Sequence, residues 1–393
     1  MNNPGDPWPP GPYSPPPGGG YLPTPVRPRV WTVIGWTAFA ALAVGCGLLT
    51  LVTITSETGL VGLVTGSVLA LIPVIPVIGV YQWLDRYEAE PASMLLFAFA
   101  WGAAVATFGA LVINTASVQA IRAAGEDPGL AAVVEAPVVE EFLKGFAILL
   151  VLLLRRREFD GIVDGLVYAG MAGVGFAFVE NVLYLGRTLA ETGGGGTAFV
   201  FVLRCVVSPF AHPLFTSATG VGFGIAVRSL RPAVRFLAPV AGYAVAVSLH
   251  GAWNLSTSTG LSGFMTTYVL VQLPIFVAFV ALALGARRRE GRLIQRHLAV
   301  YAATGWLAGG EVTMLGSLAA RRDARRWAGG VGGPDARRAM RDFQEMGSEL
   351  AFLRERMVRR TAPGQADRQE FAMLAAMAAL RGRFLPRRGA HAP

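Results

Sequence analysis

The sequence predicts an all-α polytopic membrane protein of about eight transmembrane helices, followed by a partly helical cytoplasmic tail. Three observations lead there. Of 393 residues, 53% are hydrophobic and only 15% charged, and the mean hydropathy is +0.49, outside the usual balance of a soluble chain. Apolar runs long enough to span a bilayer recur along the chain. Basic residues cluster in the short stretches between alternate runs, as a topology signal requires.

Residues 1–28 are Pro/Gly-rich, with no apolar core and no small-residue cleavage site. A disordered or polyproline-like tail is expected there, and no secretory signal peptide. Spans are expected at roughly 30–54, 59–82, 92–116, 131–154, 161–186, 198–227, 236–254 and 263–286. Pro73 and Pro76 should kink the second. Arg27 and Arg29 precede span one, Arg155, Arg156 and Arg157 join spans four and five, Arg228, Arg231 and Arg235 join six and seven, and Arg287 to Arg289 follow span eight. With eight spans these sets share one side, which is then cytoplasmic, with both termini inside. Residues 29–286 form the expected transmembrane domain.

The segment from Arg287 onward holds 21 Arg against 10 acidic residues, so it exceeds the whole-chain excess of +9. Such a tail after a span faces the anionic cytoplasmic leaflet, and no nucleic acid is expected as partner. Apolar residues recur among Arg and Glu from Phe343 to Met357 and from Phe371 to Leu380, predicting amphipathic helices in an Arg-rich unit, 287–393. Gly329 to Gly333 with Pro334 should interrupt them. Cys46 and Cys205 both fall in apolar runs, so no disulfide framework is expected.

The informative residues are ionisable groups inside the expected spans. Each costs roughly 2.5–3.5 kcal/mol even on insertion scales. The only lysine, Lys144, follows two glutamates in Glu140-Glu141-Phe142-Leu143-Lys144. On a helix Glu140 is its i,i+4 neighbour and Glu141 its i,i+3 neighbour. One ammonium can hold one carboxylate ionised and leave the other for chemistry. Span five carries Phe176-x-x-x-Glu180-Asn181, span six His212, and span seven His250-x-x-x-Asn254. Counted from the outer edges, Glu140 is about nine residues deep, Glu180 about six and His250 about five, so at ~1.5 Å per residue all lie in the outer half of a ~30 Å core. His212 is about eight residues in if Arg204 snorkels to the outer interface.

Together these are the parts of a metal-assisted hydrolase. It needs His and carboxylate ligands, a spare carboxylate to take a proton from water, and an amide to bind an oxyanion. Glu180, His212 and His250 are the expected metal ligands. Glu140 or Glu141 is the expected general base, with Lys144 holding the other carboxylate and Asn254 steadying the oxyanion; spacing does not choose between the two glutamates. Asp160-Gly-Ile-Val-Asp164 at the inner start of span five reads as a helix start with Asp160 as N-cap. No His-Glu-x-x-His and no Gly-x-Gly-Asp occurs, and Gly260-Leu261-Ser262-Gly263 sits in an expected outer loop after His250.

The ordered series Glu140-Glu141-x-x-Lys144, Phe176-x-x-x-Glu180, His212 and His250-x-x-x-Asn254 resembles the motif series of the PrsW family of intramembrane proteases, related to the CAAX-prenyl-protease and bacteriocin-processing superfamily. The resemblance covers roughly residues 30–286. It implies an intramembrane endopeptidase of the bacterial inner (plasma) membrane that uses a divalent metal, Zn2+ in the first instance. A metal-free glutamate mechanism is the variant. It also implies a membrane protein substrate, such as a single-span anti-sigma factor cut at its outer side. Two rival functions use the same composition: a proton-coupled transporter, since intramembrane carboxylates and histidines also build relays, and a non-catalytic scaffold acting through its basic tail.

Overall fold

The computed structural model describes residues 30–385 except 128, 130, 156–158 and 363. The expected disordered tail, Arg156, Arg157 and His391 lie outside the described residues. Every regular element among the described residues is helical. The chain divides into two units: residues 30–85 with 90–284, and residues 86–89 with 285–385.

The larger unit begins with α1, Val30–Leu84. Next come α2 (Ala92–Ala100), a π-helical turn Trp101–Ala106, and α3 (Thr107–Ala123). A π-turn Ala131–Glu135 leads into α4, Ala136–Leu154. α5 (Ile162–Phe201) continues through a π-turn Val202–Val207, and α6 (Ala211–Arg228) and α7 (Pro232–Ser258) follow. α8 (Gly260–Thr267) runs through the π-turn Tyr268–Gln272 into α9, Leu273–Ala303.

Among the described residues, five helical stretches are long and apolar enough to cross a membrane: Thr32–Leu84, Ala92–Ala123, Ile162–Arg228, Pro232–Ser258 and Gly260–Ala303. Eight runs were expected. The first and third stretches, 53 and 67 residues long, exceed what one crossing of a ~30 Å core uses at ~1.5 Å per residue. Both contain a break. α1 is interrupted at Gly59 (φ 67°, ψ 172°), at the boundary of the first and second expected spans, and Pro73 and Pro76 lie inside the helix. The Gly59 φ lies in the left-handed region that glycine enters without a Cβ clash. α5 is interrupted at Gly193, and a non-helical link at Ser208 separates the following π-turn from α6. α4 falls outside the five, because Glu140, Glu141 and Lys144 interrupt its apolar run.

α5 is the central helix, packed along α1, α2, α4 and α6. Its residues 163–176 are buried without interruption, and six of those fourteen are Gly or Ala. Small residues let helix backbones approach, which is how membrane helices gain contact area. At the α5–α6 crossing a Cβ on Gly165 would stand 2.1 Å from Gly220 O, and one on Gly220 would stand 2.0 Å from Gly165 O. Neither position tolerates alanine at this spacing. At the start of α5 the capping carboxylate is Asp164, whose Oδ2 accepts from the Asp160 and Gly161 N–H groups at 2.6 and 2.9 Å. The expected N-cap was Asp160, but the side chain three residues into the helix reaches back instead.

The smaller unit holds the end of α9, then α10 (Gly309–Leu315), α11 (Leu318–Val358) and α12 (Ala366–Phe384). α11 is broken at Gly332 and Gly333, next to Pro334, where the glycine run was expected to interrupt it. The periodic apolar residues share one core with Ile294, Leu298, Leu315, Phe343, Leu350, Phe352, Met377 and Phe384. Tyr87 joins that core. Its carbonyl accepts from the buried Arg321 guanidinium at 3.2 Å and from Ser348 Oγ at 2.5 Å.

Candidate active site

α4 buries one stripe containing Pro137, Glu140, Glu141, Lys144, Ile148 and Val151. The spacing of three and four turns both carboxylates and the ammonium inward along with the apolar side chains. α5, α6 and α7 pack against this helix. α6 brings His212 in its first turn. A Cβ at Gly173 would meet Pro213 Cα at 2.7 Å, so the glycine on α5 lets that turn seat closely. α7 brings His250. Glu140, Glu141, Lys144, His212 and His250 are all buried, with Glu141 and Lys144 fully so.

The two adjacent glutamates have different surroundings. Glu141 is saturated. Its Oε1 lies 2.5 Å from Lys144 Nζ and 3.0 Å from His250 Nδ1, and its Oε2 accepts from Thr216 Oγ1 at 2.8 Å. Glu140 Oε1 accepts from Asn114 Nδ2 at 3.3 Å. Its Oε2 is buried with no hydrogen-bond partner, 3.7 Å from His250 Nε2 and 3.8 Å from Lys144 Nζ. A buried acceptor left unpaired costs free energy, on the order of 1–3 kcal/mol. Such atoms mark sites that await a ligand, a proton or water.

The Glu141 contact places the proton of His250 on Nδ1, which leaves the Nε2 lone pair on the Glu140 side. Phe215 stacks on this ring with centroids 5.3 Å apart. His212 stands nearly perpendicular to His250, with centroids 5.0 Å apart. Lys144 Nζ lies 3.4 Å from His212 Nδ1 and can donate to it, and also sits 4.3 Å from the Phe176 ring centroid. His212 Nε2 lies 2.7 Å from Glu180 Oε2.

Ligand atoms of Glu140, His212 and His250 all lie within 4.8 Å of one another. Among the described residues this is the group able to share a metal ion. The sequence reading paired the two histidines with Glu180 instead. Glu180 adjoins His212 but stands outside the group, and its Oε2 is also held by Arg204 Nη2 at 2.5 Å. Asn254 lies one turn beyond His250 on α7, half-buried.

Sequence reasoning missed three supports. Asn114 comes from α3 and Thr216 from α6, and nothing in their local pattern marks them. From the sequence, Arg204 could snorkel to the outer interface. It turns inward from its π-turn, donating to Glu180 and, through Nε, to Asn181 Oδ1 at 2.7 Å, with its guanidinium 4.2 Å from the Tyr184 ring centroid. The available signal was Asn181 beside Glu180, a polar pair that one planar guanidinium can bridge.

The family model described as PrsW family intramembrane metalloprotease matches residues 90–281. Protease PrsW of Geobacillus kaustophilus is 31% identical over 173 residues, covering 43% of this chain and 69% of the relative. Protease PrsW of Oceanobacillus iheyensis is 32% identical over 162 residues, covering 40% and 66%. Protease PrsW of Bacillus subtilis is 28% identical over 212 residues, covering 54% and 89%. No solved structure matches this chain. A match of this extent, centred on the helices that build the buried cluster, shows that the chain belongs to the PrsW family of intramembrane proteases.

Proposed function

We propose that this chain is an intramembrane endopeptidase that cuts single-span membrane proteins near the outer side of the membrane, with an anti-sigma factor as one substrate class. The observation that carries the reading is the unpartnered Glu140 Oε2 beside two imidazoles in a buried cluster. Family membership favours hydrolysis over the transporter and scaffold readings.

The residues present fit a divalent ion, Zn2+ first. One carboxylate and two imidazoles are the donor set of many catalytic zinc sites, and Glu140 supplies a buried oxygen without a hydrogen-bond partner. Glu140, His212 and His250 would hold the ion. When bound, it supplies a Lewis acid that polarises the scissile carbonyl and lowers the pKa of water.

The side chains perform the remaining work. Lys144 pairs with Glu141 across 2.5 Å, and Glu141 orients His250 through Nδ1. With Glu140 engaged as a donor, Glu180 is the carboxylate left to take a proton, next to His212 Nε2. Arg204 fixes Glu180 in place. Asn254 offers its amide to the oxyanion. A second reading rests on the same orphaned oxygen: Glu140 Oε2 accepts the proton of the attacking water itself, with no metal. In the first reading Glu140 is a ligand and in the second it takes the proton itself; in both it touches the reacting centre and Glu141 is a positioning residue.

The chain is placed in the bacterial plasma membrane with eight crossings and both termini cytoplasmic. Residues 29–286 carry the peptidase, and 287–393 form a cytoplasmic unit against the anionic leaflet. What supports this is the Arg asymmetry together with the interruptions at Gly59 and Gly193. The test is cleavage of a single-span substrate by the purified chain in liposomes, with the cut located by mass spectrometry. A cut in the outer half of the substrate span supports the reading. Absence of any cut across a panel of single-span substrates contradicts it.

A further inference from the structure

A cavity of about 130 Å3 opens beside the cluster, between α6, α7 and the segment that joins α8 to α9. Its walls are apolar, with Leu214, Phe215, Leu249, Trp253 and Phe276 among them. One wall also touches the site: Phe215 stacks on His250. Ala211 and Trp253, neighbours in sequence of His212 and Asn254, line the cavity as well. The cavity therefore adjoins the candidate catalytic side chains, with Phe215 between it and His250.

Three polar side chains, Ser208, Tyr268 and Gln272, interrupt the apolar lining. Gln272 Nε2 donates to Ser256 Oγ at 3.2 Å, which fixes the carboxamide, while Gln272 Oε1 is buried with no hydrogen-bond partner. Tyr268, also on the wall, is held by its hydroxyl donating to Val207 O at 2.8 Å. A rigid apolar pocket with one unsatisfied acceptor suits a peptide: an apolar side chain fills the pocket and a backbone N–H reaches the acceptor. An apolar cavity of roughly 150 Å3 takes up a benzene-sized group, so this one matches a leucine to phenyl side chain.

Resting on the peptidase reading above, we infer that this cavity is the specificity pocket for a bulky apolar residue flanking the scissile bond, with Gln272 Oε1 receiving a backbone N–H of the substrate. The pocket selects where a transmembrane segment is cut. Without it the many peptide bonds of an apolar span would offer little to choose between.

The test uses the full chain in liposomes and a single-span substrate library in which the residues around the cut are varied. Mass spectrometry reads cleavage positions and rates. Wild type should cut next to Leu or Phe, and replacement of that residue by Ala should lower kcat/KM roughly 10–200-fold. Ala252→Phe, which fills the cavity from α7, should shift preference to Ala or Gly while the small-residue substrates are still cut. Gln272→Leu should raise KM more than it lowers kcat. Cleavage by wild type with no side-chain preference, or a preference unmoved in folded Ala252→Phe, overturns the pocket and leaves the peptidase reading standing. No cleavage of any substrate by wild type overturns the peptidase reading and the pocket with it.

Discussion

Glu141 Oε1 receives His250 Nδ1 at 3.0 Å and, in the same carboxylate, Lys144 at 2.5 Å. Removing this carboxylate leaves a fully buried ammonium without its closest partner. Glu141→Gln should therefore destabilise the protein, by about 3–5 kcal/mol for a broken buried pair. Glu140→Gln should leave the melting temperature near that of wild type. Thermal unfolding of both variants in detergent reads the difference.

Lys144 and Glu141 act as one unit. Lys144→Met should destabilise strongly, and the double variant Lys144→Met/Glu141→Gln should recover part of the lost stability, because no lone charge stays buried. Proteolysis should not recover, since His250 has lost the group that orients it. Unfolding and cleavage assays on the same preparations separate the two outcomes.

Arg204 and Glu180 share a contact of 2.5 Å. Arg204→Met should lower cleavage roughly 10–100-fold, the range for a charge-assisted hydrogen bond. Combined with Glu180→Gln, the loss should not add, because both changes remove the same interaction. Additive losses in the double variant argue for separate roles.

A second buried carboxylate group lies at the ends of α1 and α2. Burial pushes Asp85 up to about 8, and the Glu90 N–H donating to it opposes only part of that rise. Burial, reinforced by the Asp164 charge, pushes Glu90 up to about 10 against the Tyr168 hydroxyl that donates to it. Asp164 also faces Asp85, and Asp85 and Asp160 face Glu90. Both folded values lie above the unfolded ones, so the folded state holds more protons between them. Stability should be fullest below about pH 4 from these groups and fall as pH rises toward 8 for Asp85 and 10 for Glu90. Asp85→Asn should flatten the pH dependence of the melting temperature below pH 8.

Metal analysis of purified protein checks the donor set. About one divalent ion per chain is expected for wild type. It should be lost in His212→Ala/His250→Ala and in Glu140→Ala, and retained in Glu180→Gln. Retention in Glu140→Ala with loss in Glu180→Gln would return the third ligand to Glu180. No ion in wild type with active cleavage selects the metal-free glutamate reading.

Much of this was legible in the sequence, because membrane insertion makes polar residues expensive. Glu140, Glu141, Lys144, Glu180, His212 and His250 stood out against their apolar runs; the structure buries five of them together, and half-buried Glu180 adjoins His212. Spacing alone could not divide the labour between Glu140 and Glu141. That division depends on His250 and Thr216, which arrive from other helices. Arg204 could not be placed from sequence, because snorkelling competes with an inward ion pair and only the partner's position decides between them. The breaks at Gly59 and Gly193 fall at the boundaries of expected spans, where an extended link needs a residue free to take positive φ, while Pro73 and Pro76 remain within a helix.

The most direct test of the central claim compares wild type with Glu140→Gln, each full length and reconstituted with a single-span substrate, with folding verified by thermal unfolding. The account predicts cleavage by wild type and a loss of roughly 100-fold or more in the variant. Cleavage by folded Glu140→Gln at the wild-type rate would contradict it.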